Sequence, residues 1–221
     1  MDTDMVSSAL AARPEQLRRL SPVVMAGEGT RHLAHLLLSQ LLLRGERVIV
    51  LDGANAFDAY ALAQAARRNR RPPPTLLSAV RVSRAFTWFQ WLALLEGEAQ
   101  AEAERSGARW VLALGPLDLF ADANVKPFQA WRGVRRTAAG LRTISAAGLG
   151  VIAAQEERPL REGGRLDLLD PLKAVAGHLV TIAPASAAET AATAGLDSPP
   201  ALAAPTVPPP PEPQMVFGFP E

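Results

Sequence analysis

The chain contains no cysteine, which excludes a disulfide framework and any thiolate-ligated metal site. Histidine is scarce as well: His32, His35 and His178 are the whole complement, and each lies among apolar neighbours. That scatter argues against a zinc or iron centre, so no metal ligand is assigned. Lysine is nearly absent, at two residues against 21 arginines. A GC-rich genome produces the same bias, so the arginine excess is not by itself a nucleic-acid signal. No run of about 18 residues is continuously apolar, so no segment reads as membrane-spanning. The amino terminus, MDTDMVSSALAARPEQ, starts acidic and lacks the apolar core of a secretory signal. A soluble, cytoplasmic protein without membrane partners is the expectation.

Basic residues are absent after Lys173, where four acids remain: Glu189, Asp197, Glu212 and Glu221. Residues 1–173 therefore carry 23 basic and 18 acidic residues, a net charge of +5. From about Pro184 the chain is rich in Ala, Pro, Ser and Thr and runs into Pro208–Pro211. Such a composition buries too little apolar surface to offset the entropy of ordering, which predicts a disordered or polyproline-like tail over 185–221. Its end, QMVFGFPE, reads either as a docking peptide anchored by Phe217 and Phe219 or as a tail with no partner. The expected organisation is a helical lead-in over 1–21, an α/β core over 22–184 and the tail.

The core is organised around Pro22–Leu43, PVVMAGEGTRHLAHLLLSQLLL: a short apolar strand, a glycine turn and an amphipathic helix. This is the shape of a phosphate-binding loop, where backbone N–H groups at a helix start cradle an anion. The pattern G-x-x-x-x-G-K-[ST] is incomplete, however. The turn reads Gly27-Glu28-Gly29-Thr30-Arg31, with Thr30 at the lysine position and Arg31 at the hydroxyl position.

Further strands are predicted over Arg47–Asp52, Leu76–Val82, Trp110–Leu114, Leu149–Ala154 and Leu179–Ile182. Between them, helices are predicted over Ala59–Arg68, with Asp58 as N-cap, Trp88–Arg105, Phe128–Ala146 and Asp170–Ala176. Alternating strands and helices imply right-handed crossovers and a mostly parallel sheet covered on both faces. In such sheets ligands sit at the carboxyl ends of the strands. The loops Gly27–Arg31, Gly53–Phe57, Gly115–Asp122 and Gln155–Arg165 all fall at that edge.

Taken in order, these pieces resemble the ATPase core of the RecA-like recombinase superfamily. VVMAGEGTRHLAHLLL is similar to its strand, phosphate loop and helix. VIVLDGANAFDAYALAQAARR resembles its second strand and helix, and VSRAFTWFQWLALL a segment with an R-A-F/Y-T core. WVLALGPLDLF resembles the Walker B strand, and GVIAAQEERP the strand ending in a glutamine before the second DNA-binding loop. The resemblance spans Pro22–Pro184 and implies a RecA-like P-loop core.

It also implies a nucleotide site at Gly27, Gly29, Thr30, Arg31, Asp118 and Gln155, vestigial or weak. Where the family has its phosphate-binding Lys this chain has Thr30, and at the Mg²⁺-binding Ser/Thr it has Arg31. Ala54 replaces the water-orienting Glu, and Gly115 the Walker B acid, with Asp118 three residues later. Phosphoryl transfer depends on positioning and charge stabilisation, so losing all of these groups implies no catalytic residues. The cofactor is then absent or limited to weakly bound ATP/Mg²⁺.

The implied role is that of a non-catalytic paralogue in DNA recombination or repair. It would contact a recombinase or another DNA repair protein, and DNA as a second partner, with oligomers a family habit. SulA- and ImuA-type relatives follow the same logic. An ATP-binding or ATP-hydrolysing repair protein with an unorthodox loop, and a scaffold unrelated to DNA, are the alternatives. The DNA-binding candidates are Arg67, Arg68, Arg70 and Arg71, otherwise a solvated helix end, and Arg158, Arg161 and Arg165 in the glycine-containing loop.

Overall fold

The computed structural model describes residues 13–182. Six five- or six-residue strands carry the fold: β1 Val23–Gly27, β2 Val48–Asp52, β3 Val80–Arg84, β4 Trp110–Leu114, β5 Gly150–Gln155 and β6 His178–Ile182. They form one sheet in the order β3-β2-β4-β5-β1-β6, and every neighbouring pair is parallel. The four central strands are buried along their whole length. This is why they read as continuous apolar runs rather than alternating ones.

Alternation appears instead in which layer each side chain enters. Val24, Ile49, Leu51, Val111, Ala113, Val151 and Ala153 project into one core. Val23, Met25, Val48, Val50, Leu112, Ile152 and Ala154 project into the other. Two helices on the second face, α2 Thr30–Leu43 and α3 Ala59–Arg68, follow β1 and β2; the short α4 Pro73–Leu77 completes that layer. The first face is covered by α5 Trp88–Ala93, α6 Ala99–Ser106, α7 Pro127–Ala146, α8 Glu157–Glu162 and α9 Leu169–Ala174. A preceding helix, α1 Pro14–Arg19, starts at a proline, as that residue favours.

One large indole anchors each core. Trp110 is 1% exposed on the α2 side, and Trp91 is fully buried on the α7 side. Each stabilises by about 2–3 kcal/mol through burial alone. The Trp91 Nε1–H also donates to Thr137 Oγ1 at 3.1 Å, which satisfies a buried donor.

Three expected boundaries change. The third strand was expected at Leu76–Val82, but it runs over Val80–Arg84. Pro72-Pro73-Pro74 opens a helical turn through Leu77 instead, since proline suits a first helical turn and not a ladder. The helix expected over Trp88–Arg105 is interrupted by a π-type turn, Leu94–Glu98, with Glu96 and Gly97 out of helical geometry. The loop expected over Gln155–Arg165 contains α8, closed by two i,i+4 pairs, Glu157–Arg161 and Arg158–Glu162. The architecture is α/β, with an all-parallel sheet flanked by helices, compatible with Rossmann-type and phosphate-loop-type folds. No helix among the described residues is long and apolar enough to cross a membrane.

Candidate functional site

The carboxyl edge of the sheet brings together Gly27, Gly29, Thr30, Arg31, Asp118 and Gln155. β1 ends at Gly27 and α2 begins at Thr30, so only Glu28 and Gly29 lie between them. Gly29 is left-handed, at φ 82°, and turns the chain directly into the helix. Gly27 has φ 124°, and a Cβ there would sit 2.0 Å from the Ile182 carbonyl oxygen of β6. Two residues cannot wrap a polyphosphate. They form a tight turn that leaves one helix N-terminus facing the edge.

That N-terminus is occupied by the chain itself. The Arg31 amide donates to Glu156 Oε1 at 3.2 Å. The carboxylate just beyond β5 therefore takes the position that an anion takes at a helix start. Arg31, the cation of the turn, reaches Asp118 instead: Nη2 lies 2.7 Å from Oδ2. Gln155 completes the network. Its Nε2 donates to Asp118 Oδ1 at 2.7 Å and to the Glu156 carbonyl at 2.7 Å. Its Oε1 accepts from the Leu117 amide at 2.8 Å. A fully buried glutamine thus uses both ends of its amide to tie the β4 loop to the end of β5.

The electrostatics are those of a crowded acidic edge. Burial pushes the Asp118 carboxyl up from its ordinary value; hydrogen bonds from Gln155 and Arg31 and the charge of Arg31 oppose that, and Glu156 adds to it. Glu28 is also pushed up, by burial and then by the charge and hydrogen bonding of Glu156, against the pull of Arg161 and Arg158. Arg161 Nη1 stands 3.9 Å from Glu28 Oε1. The Thr30 hydroxyl and Arg31 Nε are buried and have no partner among the described residues.

Nucleotide and Mg²⁺ do not fit these residues. Glu28 and Glu156 put negative charge where phosphate needs positive, and Arg31 is already paired. The Thr30 side chain is wholly buried. An acid at the end of β4 has no room either. Gly115 has φ 57°, and a Cβ there would lie 2.4 Å from Ala54 Cβ and 2.9 Å from Asp118 Cγ. The acid that ends β2, Asp52, is fully buried and structural. It accepts the Ala56 and Phe57 amides at 2.9 and 3.0 Å and Arg84 Nε at 3.1 Å, fixing the loop before α3. Among the described residues no cluster of His, Asp or Glu is suited to a metal ion.

The arginine candidates separate. Arg67, Arg68, Arg70 and Arg71 are exposed at the end of α3, where Arg71 lines a groove with Arg44 and Gly45, before β2 and away from the carboxyl edge. Arg158 is paired with Glu162, and Arg161 with Glu157. Arg165 donates to the Phe120 and Val125 carbonyls, both at 2.5 Å, and so clamps the β4 loop. Phe217 and Phe219 lie outside the described residues. The residue that sequence reasoning missed is Glu156. Its signal was available: an acid directly after the strand-end glutamine, on the strand that pairs with β1. The chain matches no protein-family model and no curated protein sequence.

Proposed function

We propose that this is a non-catalytic, RecA-like protein that acts in DNA recombination or repair by contact rather than by nucleotide turnover. The observation that carries the reading is the self-filled anion seat: Glu156 on the Arg31 amide and Asp118 on the Arg31 guanidinium. A turn of two residues, a buried Thr30 and a Gly115 that admits no side chain support the same conclusion. Assignment to the RecA-like superfamily rests on the ordered motif resemblance from Pro22 to Pro184, with the parallel sheet and the edge position of its loops in support. The repair role and a recombinase or other repair protein as partner follow from that resemblance. Direct DNA contact through Arg158, Arg161 and Arg165 is disfavoured by their pairing.

The test has two parts. The purified chain alone is expected to show no ATP turnover, and a recombinase on single-stranded DNA is expected to turn over ATP at the same rate with and without it. Strand exchange by the recombinase is expected to change in extent when the chain is added. Turnover that depends on Arg31 would overturn the non-catalytic reading. Unchanged strand exchange, with no retention of the recombinase on the immobilised chain, would remove the repair role.

A further inference from the structure

The acidic edge is matched by a surface of opposite character on α7. This helix, PFQAWRGVRRTAAGLRTISA, carries four arginines and no acid over 20 residues. Its buried side, which includes Ala130, Val134, Leu141 and Ile144, packs on the sheet. The other side shows solvent Phe128 at 66% and Trp131 at 39% exposure. Trp131, Arg132, Arg135, Arg136 and Ala139 line an open groove of about 530 Å³ along that side.

The charges in the groove are not spent evenly. Arg136 is engaged by a fork-to-fork pair with Glu96, Nε to Oε1 at 2.7 Å and Nη2 to Oε2 at 2.5 Å. Trp131 Nε1 donates to Asp167 Oδ2 at 3.1 Å. Between these two carboxylates of the chain's own, Arg132 and Arg135 make no hydrogen bond or ion pair among the described residues. They stand three residues apart on one helix face, a separation of about 5–6 Å between Cβ atoms.

We infer that this groove binds an acidic amphipathic segment of a partner protein, with carboxylates on Arg132 and Arg135 and an apolar side chain against Trp131 and Ala139. Tryptophan and arginine are the residues that dominate binding energy at protein interfaces. Guanidinium groups match discrete carboxylates in a bidentate manner, as Arg136 and Glu96 already do here. A nucleic-acid backbone needs an unbroken basic track, and Glu96 and Asp167 interrupt this one at both ends. Partner acids three or four residues apart on a helix meet the two free arginines and avoid the flanking carboxylates. The inference rests on the reading that the protein works by contact, and it names the contact surface.

The test uses a displayed library of random peptides selected on the full-length chain. Enriched peptides are expected to carry Asp or Glu at spacings of three or four with an apolar residue between them. Their binding, measured by fluorescence anisotropy, is expected to weaken by about ten-fold or more on the Arg132→Glu, Arg135→Glu double variant and on Trp131→Ala. Both arginines are exposed, so the double variant keeps its fold, which circular dichroism checks. Glu28→Gln, at the other site, is expected to bind as wild type does. Selection without an acidic consensus, or selected peptides indifferent to the double variant, would overturn the inference. So would an oligodeoxythymidylate that binds through Arg132 and Arg135 more tightly than any selected peptide. Nucleotide plays no part in this experiment, so its failure leaves the non-catalytic reading standing and shows only that the surface is misassigned.

Discussion

Arg31 and Thr30 decide which way this helix start faces. A lysine at the first position and a hydroxyl at the second would face outward to phosphate and metal. Here the threonine is buried and the arginine turns to Asp118. Arg31→Ala leaves Asp118 without its cation in a largely buried place, and a cost of about 1–2 kcal/mol is expected in urea unfolding. Thr30→Val keeps the shape and removes a hydroxyl that has no partner. It is expected to raise stability by about 0.5–1 kcal/mol in the same experiment. A loss of stability instead would show that the hydroxyl is hydrogen-bonded. At this scale the sequence was informative about which residues depart from the phosphate-loop pattern. It was silent on what they did instead, because that depends on Glu156 and Asp118, more than 80 positions away in the chain and brought close only by strand order.

The elements were legible wherever one physical rule decided them. Val48–Asp52 reads as a fully buried parallel strand because VIVL is apolar throughout between Arg47 and Asp52, and the Asp58 boundary follows from N-cap chemistry. The third strand slipped because Leu76 and Leu77 look like strand residues, yet the prolines before them start a helical turn whose apolar side chains enter the α2 core. The break after Ala93 was hidden because Leu94 and Leu95 keep the helical hydrophobic pattern through it. The end of β4 yields a test of the element packing itself. Gly115→Asp puts an acid at the end of β4 but drives a Cβ into Ala54 and imposes a left-handed backbone on a residue that carries a Cβ. It is expected to cost about 3 kcal/mol and to gain no ATP turnover.

For the whole molecule, the two raised carboxyls set the sign of a pH effect. A carboxyl whose folded pKa lies above its unfolded value holds its proton longer in the folded state. Its contribution is most favourable below the ordinary value and is lost as pH rises through the raised one. The window therefore opens at the ordinary 3.8 for Asp118 and 4.5 for Glu28 and extends upward. Glu28→Gln removes one of the two groups. Its stability relative to wild type is expected to rise across that window by a few tenths of a kcal/mol, about what a partly solvated like-charge contact costs. A flat difference between the two would mean that neither burial nor Glu156 raises the Glu28 carboxyl.

The most direct measurement is thermal unfolding of the full chain with millimolar ATP–Mg²⁺ and, separately, ADP. A seat already filled by Glu156 and an arginine already held by Asp118 predict the same transition with and without nucleotide. A stabilisation of about 1.4 kcal/mol or more, the effect of a ligand at roughly ten times its dissociation constant, would contradict the account, and its loss in Arg31→Ala would place the nucleotide at this turn.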